Sequence, residues 1–302
     1  MKVLLTGATG FLGSHLARAL LAEGHQVTIL KRSTSDCSRL ADIYSELAAC
    51  DVDAADLLSA FSRHGPFDAV MHAATAYGRR GESEAALVEA NVLFPLRLLR
   101  ACCEYGTGLF VNTDTFSRAS LAFGATHLAG YHLTKKQFAE WGAHAAVQYG
   151  LTFANMRLEH VYGPDDQPDK FIPYVIRQCL QDGARLALTS GEQKRDFVYV
   201  TDVVEAYLLL LRQKDSLPKG AYLEYQVGTG RATAVREVVE KIHSLTCSTA
   251  QLQFGALPQR PGELMCSQAD TRKLRELGWK ERVSLEQGLT MILQKEAAKN
   301  GK

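Results

Sequence analysis

Tyr131 and Lys135 stand four residues apart in Tyr131-His132-Leu133-Thr134-Lys135, a Y-x-x-x-K spacing. On a helix, residues at that separation share a face, which sets the ammonium beside the phenol. A neighbouring cation lowers a phenol from its ordinary value of about 10. The tyrosine then serves as a proton donor and acceptor near neutral pH. Many helices carry this spacing by chance, so its neighbours decide. The stretch Val111-Asn112-Thr113-Asp114-Thr115 closes an apolar run and supplies a hydroxyl, assigned to Thr113, for a second hydrogen bond to a forming alkoxide.

A second chemical feature opens the chain. Thr6-Gly7-Ala8-Thr9-Gly10-Phe11-Leu12-Gly13 fits G-x-x-G-x-x-G between a strand pattern and a helical pattern. Glycines let the backbone turn sharply and approach a pyrophosphate, whose charge meets the free N–H groups at a helix start. This places Gly7, Thr9, Gly10, Phe11 and Leu12 on a dinucleotide. The same turn could instead merely pack helix on strand. At the end of the second strand, sites that prefer NAD place an acid on the ribose 2′-hydroxyl. Here the residues are Lys31-Arg32-Ser33. A guanidinium fork and an ammonium suit a 2′-phosphate, so the cofactor expected is NADP(H). The bland reading is a solvated basic pair. Asp51 and Val52, after a third strand, flank the adenine.

These residues need a parallel sheet to position them. Apolar runs at 3–6, 27–30, 67–73 and 109–112 alternate with helical spacing at 12–23, 84–105 and 130–149, and a further buried strand fits 152–158. That alternation predicts an α/β fold with a doubly wound parallel sheet over 1–160. Pro164, Pro168 and Pro173 then break the pattern. Short strands at 184–189, 222–228 and 250–254 and helices at 203–212 and 236–245 predict a smaller lobe over 161–302, with part of 196–230 returning to the sheet. The polar tail 296–302 is expected to fray.

Lys plus Arg is 34 against Asp plus Glu 33, which gives no sign of a nucleic-acid or membrane-surface binder. No apolar run approaches the ~20 residues that span a bilayer. The start runs straight into a strand pattern, so the protein is expected in the cytoplasm. The seven cysteines are odd in number and form no C-x-x-C, so neither disulfides nor a metal site are expected.

With these features the chain resembles the extended short-chain dehydrogenases/reductases over nearly its full length. The matching residues are Gly7, Gly10 and Gly13, His72-Ala73-Ala74, Asn91, Thr113, and Tyr131 with Lys135. Arg157-Leu158-Glu159-His160-Val161-Tyr162-Gly163-Pro164, Gly191 to Asp202 around Arg195-Asp196-Phe197, and Arg260-Pro261-Gly262-Glu263 resemble the nucleotide-sugar branch. The resemblance implies that Ala73, Ala74, Thr75, Asn91, Leu158, His160 and Val161 join the cofactor site. It implies a second lobe closing over a nucleoside-diphosphate sugar held by Arg195, Arg260 and Glu263. Tyr77, Asp114, Thr115, His160, Phe171 and Ile172 would face the sugar. It also implies a homodimer through the helices near 84–106 and 130–149. The plainer alternatives are interlobe salt bridges for the arginines, a core polar role for Asn91, and core packing for the aromatic pair Tyr77 and Phe171.

Epimerisation, dehydration and reduction share this scaffold. Dehydratases of the branch carry Thr-Asp-Glu where this chain has Thr113-Asp114-Thr115, so the second acid is missing. Epimerases keep NAD and an acid after the second strand, against Lys31-Arg32. Segments including Asn112–Phe116, Lys170–Tyr174 and Glu224–Gly230 are similar to the CDP-abequose and CDP-paratose synthases. That likeness implies NADPH-dependent reduction of the 4-keto group of a CDP-linked deoxy sugar. A nucleotide-sugar 4-epimerase and a non-catalytic dinucleotide-binding protein are the alternatives.

Overall fold

The computed structural model describes the chain except residues 55, 80, 124–127 and 300–302, and except the side chains of 120–123 and 299. The first half runs β1 (Lys2–Thr6), α1 (Phe11–Ala22), β2 (Gln26–Lys31), β3 (Ala48–Asp51), α2 (Leu57–His64), β4 (Ala69–His72), α3 (Glu84–Val88), α4 (Phe94–Glu104), β5 (Leu109–Thr115), α5 (Ala129–Tyr149) and β6 (Thr152–Leu158). The second continues with β7 (His160–Tyr162), α6 (Phe171–Cys179), β8 (Arg185–Leu188), β9 (Lys194–Tyr199), α7 (Val200–Arg212), β10 (Tyr222–Val227), β11 (Ala232–Ala234), α8 (Val235–Leu245), β12 (Gln251–Phe254), α9 (Arg272–Glu276) and α10 (Leu285–Lys299).

Val3, Leu4, Leu5 and Thr6 are all inaccessible, as a strand at the centre of a sheet covered on both faces must be. The sheet has seven parallel strands in the order β10-β6-β5-β4-β1-β2-β3. Helices α1 and α7 pack together, as do α4 and α5. The strand order reverses between β1 and β4, and ligands of such sheets bind at the carboxyl ends beside that reversal. Strand β10, from the second half of the chain, closes one edge against β6. The smaller lobe holds the sheet β11-β9-β7 and the pair β12-β8.

Several expectations change. The strand expected at 109–112 runs on to Thr115, because β6 continues to pair with it through Leu158. The helix over 84–105 contains a π turn at Glu89–Leu93, which carries Asn91. The loop-rich stretch contains α6, since Pro173 sits in the first turn of that helix, where a missing N–H costs no helical bond. The segment expected to fray is helical through Lys299, and 300–302 lie outside the described residues.

The sheet's far half is stapled by stacked rings. Phe153 lies between Phe110 (5.3 Å) and Tyr222 (5.8 Å) on the flanking strands. Helix α5 rests on it through Gly142, where a Cβ would lie 2.2 Å from the Phe153 ring. Gly142→Ala is expected to destabilise the fold by about 1–3 kcal/mol through overpacking. Denaturant unfolding checks this, and an unchanged midpoint would refute it.

Candidate active site

The glycine loop is built for a phosphate. Gly7 has φ +72°, and a Cβ there would sit 2.5 Å from the Ala74 backbone nitrogen. A Cβ on Gly13 would meet the Gly7 carbonyl at 2.0 Å, so these two glycines let β1, α1 and the end of β4 close together. At Gly10 the heavy atom that such a Cβ meets among the described residues is the Gly7 carbonyl oxygen, at 3.2 Å, which leaves an open approach at the start of the 12-residue helix α1. A pyrophosphate fits that cradle. Ala74 N donates to Thr6 Oγ1, which also bonds His72 Nδ1 at 2.7 Å. His72 is 1% exposed, and burial holds its imidazole well below the ordinary range. It braces the loop.

At the end of β2 the two cations part company. Lys31 is bonded to Asp51 at 2.5 Å, and Ser33 donates from both its N and Oγ to Asp53. Arg32 is exposed, and no side-chain partner meets it among the described residues. Lys31 and Ser33 thus meet neighbouring carboxylates in the protein as it stands, and the Lys31 ammonium keeps two of its three donors. Asp51 is likewise engaged by Lys31 rather than free beside a base, and Val52 is half-buried next to it.

Asn91 is saturated. Its Oδ1 accepts from Ala76 N (2.8 Å) and Thr75 Oγ1 (3.2 Å), and its Nδ2 donates to Ala76 O (2.8 Å) and Thr134 Oγ1 (3.1 Å). With no donor or acceptor to spare, it ties the 75–77 loop to α5, so its place among the cofactor ligands is corrected to a positioning one.

Tyr131 (6% exposed) and Lys135 (3%) lie on one buried face of α5. The Tyr77 ring packs on Tyr131 with centroids 5.0 Å apart. Burial, reinforced by Tyr77, raises the Tyr131 phenol well above its ordinary value, while the Thr115 hydroxyl acts on it in the opposite sense as a hydrogen-bond partner. The lowering expected from Lys135 is therefore not produced by the protein's own groups. The Lys135 ammonium donates instead to the Thr113 carbonyl at 2.8 Å, and burial brings it down to about 8 against the pull of Asp114. The hydroxyl of Thr113 is directed elsewhere, onto Tyr207 Oη of α7 at 2.7 Å. Thr113 is thus corrected as the hydroxyl beside Tyr131. The hydroxyl that acts on Tyr131 is that of Thr115, two residues further along β5, whose own bonds run to Ser117 Oγ at 2.8 Å and Ser117 N at 3.2 Å.

Behind this edge runs a buried charged network that composition and spacing did not reveal. The Asp114 carboxylate accepts from Thr115 N, Asn155 Nδ2 and Arg118, each at 2.8 Å. Arg118 also pairs with Glu224 (2.5 Å), which is shared with Arg157 (3.1 Å) and Tyr222 (3.1 Å). Asp114 therefore braces β5 against β6 and β10 rather than presenting an oxygen to a sugar.

On the lobe side a chain of rings leads away from Thr115. Phe116 meets His160 at 4.5 Å, His160 meets Phe197 at 5.5 Å, and Phe197 meets Phe171 at 6.4 Å. Burial, aided by the charge of Arg195, pulls His160 down to about 3, so its imidazole is neutral, and its Nδ1 has no hydrogen-bond partner among the described residues. Leu158 and Ile172 are buried, and Val161 is half-buried beside them. Arg195 is 7% exposed and pairs with Glu263 at 3.0 Å. Arg260 is exposed and joins neither of them through its side chain. Thr9, Leu12, Ala73 and Thr75 are half-buried around the glycine loop, and Phe11 is buried.

No helix among the described residues is long and apolar enough to cross a membrane. Among those residues no cluster of three or more His, Cys, Asp or Glu could hold a metal.

Residues 3–228 match the model of the NAD dependent epimerase/dehydratase family. The chain is 36% identical over 298 residues to the CDP-abequose synthase of Salmonella typhimurium, with 97% of each covered. It is 26% identical to a putative UDP-glucose 4-epimerase of Methanocaldococcus jannaschii, over 96% of this chain and 97% of that one. Among solved structures, the UDP-glucose 4-epimerase of Thermus thermophilus in complex with NAD superposes with a TM-score of 0.81 at 28% identity, covering 97% of this chain and 98% of that one. The Thermotoga maritima UDP-glucose 4-epimerase with UDP-glucose gives 0.83 at 26% identity, covering 99% and 100%. The glycine cradle, the Tyr131/Lys135 face and these matches agree: the chain belongs to the NAD dependent epimerase/dehydratase family, in the nucleotide-sugar branch of the extended short-chain dehydrogenases/reductases.

Proposed function

We propose that the protein reduces the 4-keto group of a CDP-linked deoxy sugar with NADPH. The observation that carries this reading is the buried Tyr131 phenol, held in its protonated form beside Thr115 at the carboxyl edge of the sheet. Reduction consumes a proton at the carbonyl oxygen, and a phenol with a raised pKa is already in the form that supplies it. The nicotinamide, when bound, supplies the hydride. Tyr131 then protonates the forming alkoxide, and Thr115 donates a hydrogen bond to the same oxygen. Lys135, cationic below about 8, offsets the negative charge left on the phenolate. The glycine loop and the start of α1 hold the pyrophosphate, and Arg32 takes the 2′-phosphate. Arg195 takes the sugar diphosphate by exchanging Glu263 for it, with Arg260 reaching in from its segment.

The identity to CDP-abequose synthases supports the choice of reaction. The chain also has Thr115 where dehydratases of the branch carry the second acid. One observation favours an NAD-dependent 4-epimerase instead, namely that Asp51 neutralises Lys31 and leaves one cation for the cofactor. NADPH and NADH oxidation with a CDP-4-keto-3,6-dideoxyhexose separates the readings. NADPH-selective turnover supports reduction. Conversion of a plain UDP-hexose without added cofactor would establish the epimerase. Arg32→Ala is expected to raise the KM for NADPH by about tenfold or more and leave that for NADH nearly unchanged, as loss of a charge-assisted phosphate contact requires.

We also propose a homodimer through α4 and α5. Leu133, Trp141 and Val147 of α5 are exposed, Val147 at 85%, and α4 lies beside them. Sedimentation of the wild type against Val147→Glu tests it.

A further inference from the structure

Glu159 has no task in the reduction derived above. It lies at the turn from β6 to β7, 7% exposed, and its Oε2 accepts from Ser267 Oγ at 2.6 Å. Ser267 belongs to the C-terminal lobe, so this bond joins the two halves of the molecule beside Arg195. A second buried acid, Asp196, stands in the same cluster but is differently furnished. Thr229 N, Thr229 Oγ1, Gly230 N and Ala269 N all donate to it. Among the described residues Glu159 has only the one donor, from Ser267. Burial, opposed by the Ser267 bond and reinforced by Asp196, pushes the Glu159 carboxyl up to about 7.

Arg195 pairs with Glu263 at 3.0 Å and attracts Glu159 at longer range. The other charged or titratable groups facing the cluster are Arg157 of β6, Cys266 of the C-terminal segment and the neutral imidazole of His160. A diphosphate diester brings negative charge and draws the Arg195 guanidinium to itself. A carboxylate left in the same buried space loses its attraction and gains a repulsion. Glu263 has a more open side chain and can give way to solvent, whereas Glu159 is fixed by its place in the turn and by Ser267.

We propose that Glu159 takes up a proton when a nucleotide-diphosphate sugar binds at Arg195, so that the neutral carboxyl is the form that coexists with the bound diphosphate. This rests on the reading that Arg195 holds the diphosphate. The sign follows from linkage. A group whose pKa is higher in the complex than in the free protein takes up a proton between those two values, so affinity weakens as pH rises through that window and is flat below it.

The test is calorimetric titration with CDP-glucose and UDP-glucose, whose phosphates do not titrate near neutrality, in two buffers of different ionisation enthalpy at about pH 7.5. The expected result is an apparent binding enthalpy that changes with buffer in the sense of proton uptake. The Kd should weaken between about pH 7 and 8.5, approaching tenfold per unit. Glu159→Gln keeps an acceptor for Ser267 and is expected to bind with no buffer dependence and a flat pH profile. Ser267→Ala removes the one donor, raises the free Glu159 further and reduces uptake at the same pH. Buffer-independent wild-type enthalpies, or linkage that survives in Glu159→Gln, would overturn the proposal while leaving the diphosphate site standing. Unchanged affinity in Arg195→Met, or no binding of either nucleotide hexose to the wild type, would instead overturn the reading on which it rests.

Discussion

Tyr131→Phe lowers kcat by about a thousandfold and leaves the affinity for NADPH within about twofold of the wild type, the pattern of a lost proton donor with binding intact. The phenylalanine ring keeps the contact with Tyr77, whose centroid lies 5.0 Å away, and fills the same buried volume. What disappears is the one proton that burial holds on the oxygen. Hydride transfer to the carbonyl carbon then has to generate an alkoxide stabilised only by Thr115 and the nearby ammonium of Lys135. Pre-steady-state oxidation of NADPH with saturating keto sugar separates chemistry from release. A variant that keeps a near-normal single-turnover rate would show that the proton comes from elsewhere, with water the obvious source. A variant that loses NADPH binding as well would show that Tyr131 acts on the cofactor instead.

The parts of this arrangement that were legible in the sequence are those set by local pattern. The glycine loop, the strand before it and the helix after it are adjacent in the chain, and β1, α1 and β2 appear within a residue or two of their expected bounds. Tyr131 and Lys135 are one helical turn apart, so their shared face needs no tertiary information. The π turn around Asn91 is different. Its cause is a tertiary one, the clamp that Asn91 makes on Ala76 and Thr134, and nothing in residues 84–105 announces it. Strand β9 was hidden because Arg195 and Asp196 are buried polar residues whose partners lie far along the chain, at Glu263, Thr229 and Ala269. The same holds for Asp114, Arg118 and Glu224, which are 106 residues apart at the extremes of the Arg118–Glu224 bond. Charge patterning reads neighbours in sequence, and Glu224 meets Arg118 and Arg157 only across the sheet.

The hydroxyl assignment shows how a small error in a strand end becomes an error in chemistry. Ending β5 at Asn112 makes Thr113 the first residue past the sheet, free to face a substrate. In the structure the strand continues to Thr115, and alternation puts Thr113 and Thr115 on one face, about 7 Å apart along the strand. Only the outer one acts on the tyrosine, the inner one being turned to Tyr207. A matched pair of substitutions discriminates the two, and both use valine to preserve shape and strand preference. Thr115→Val removes a hydrogen bond to charge that develops in the transition state, so kcat is expected to fall by about a hundredfold, while the loss of its bonds to Ser117 N and Oγ costs about 1 kcal/mol of stability. Thr113→Val leaves the buried Tyr207 oxygen without its 2.7 Å partner. The expected cost is about 1–3 kcal/mol of folding stability, with kcat within about threefold of the wild type. The reverse pattern would return the catalytic hydroxyl to Thr113, and it would require the end of β5 to move when substrate binds. The two measurements, one of turnover and one of unfolding, respond to different physical losses, so a general weakening of the fold cannot imitate the expected result.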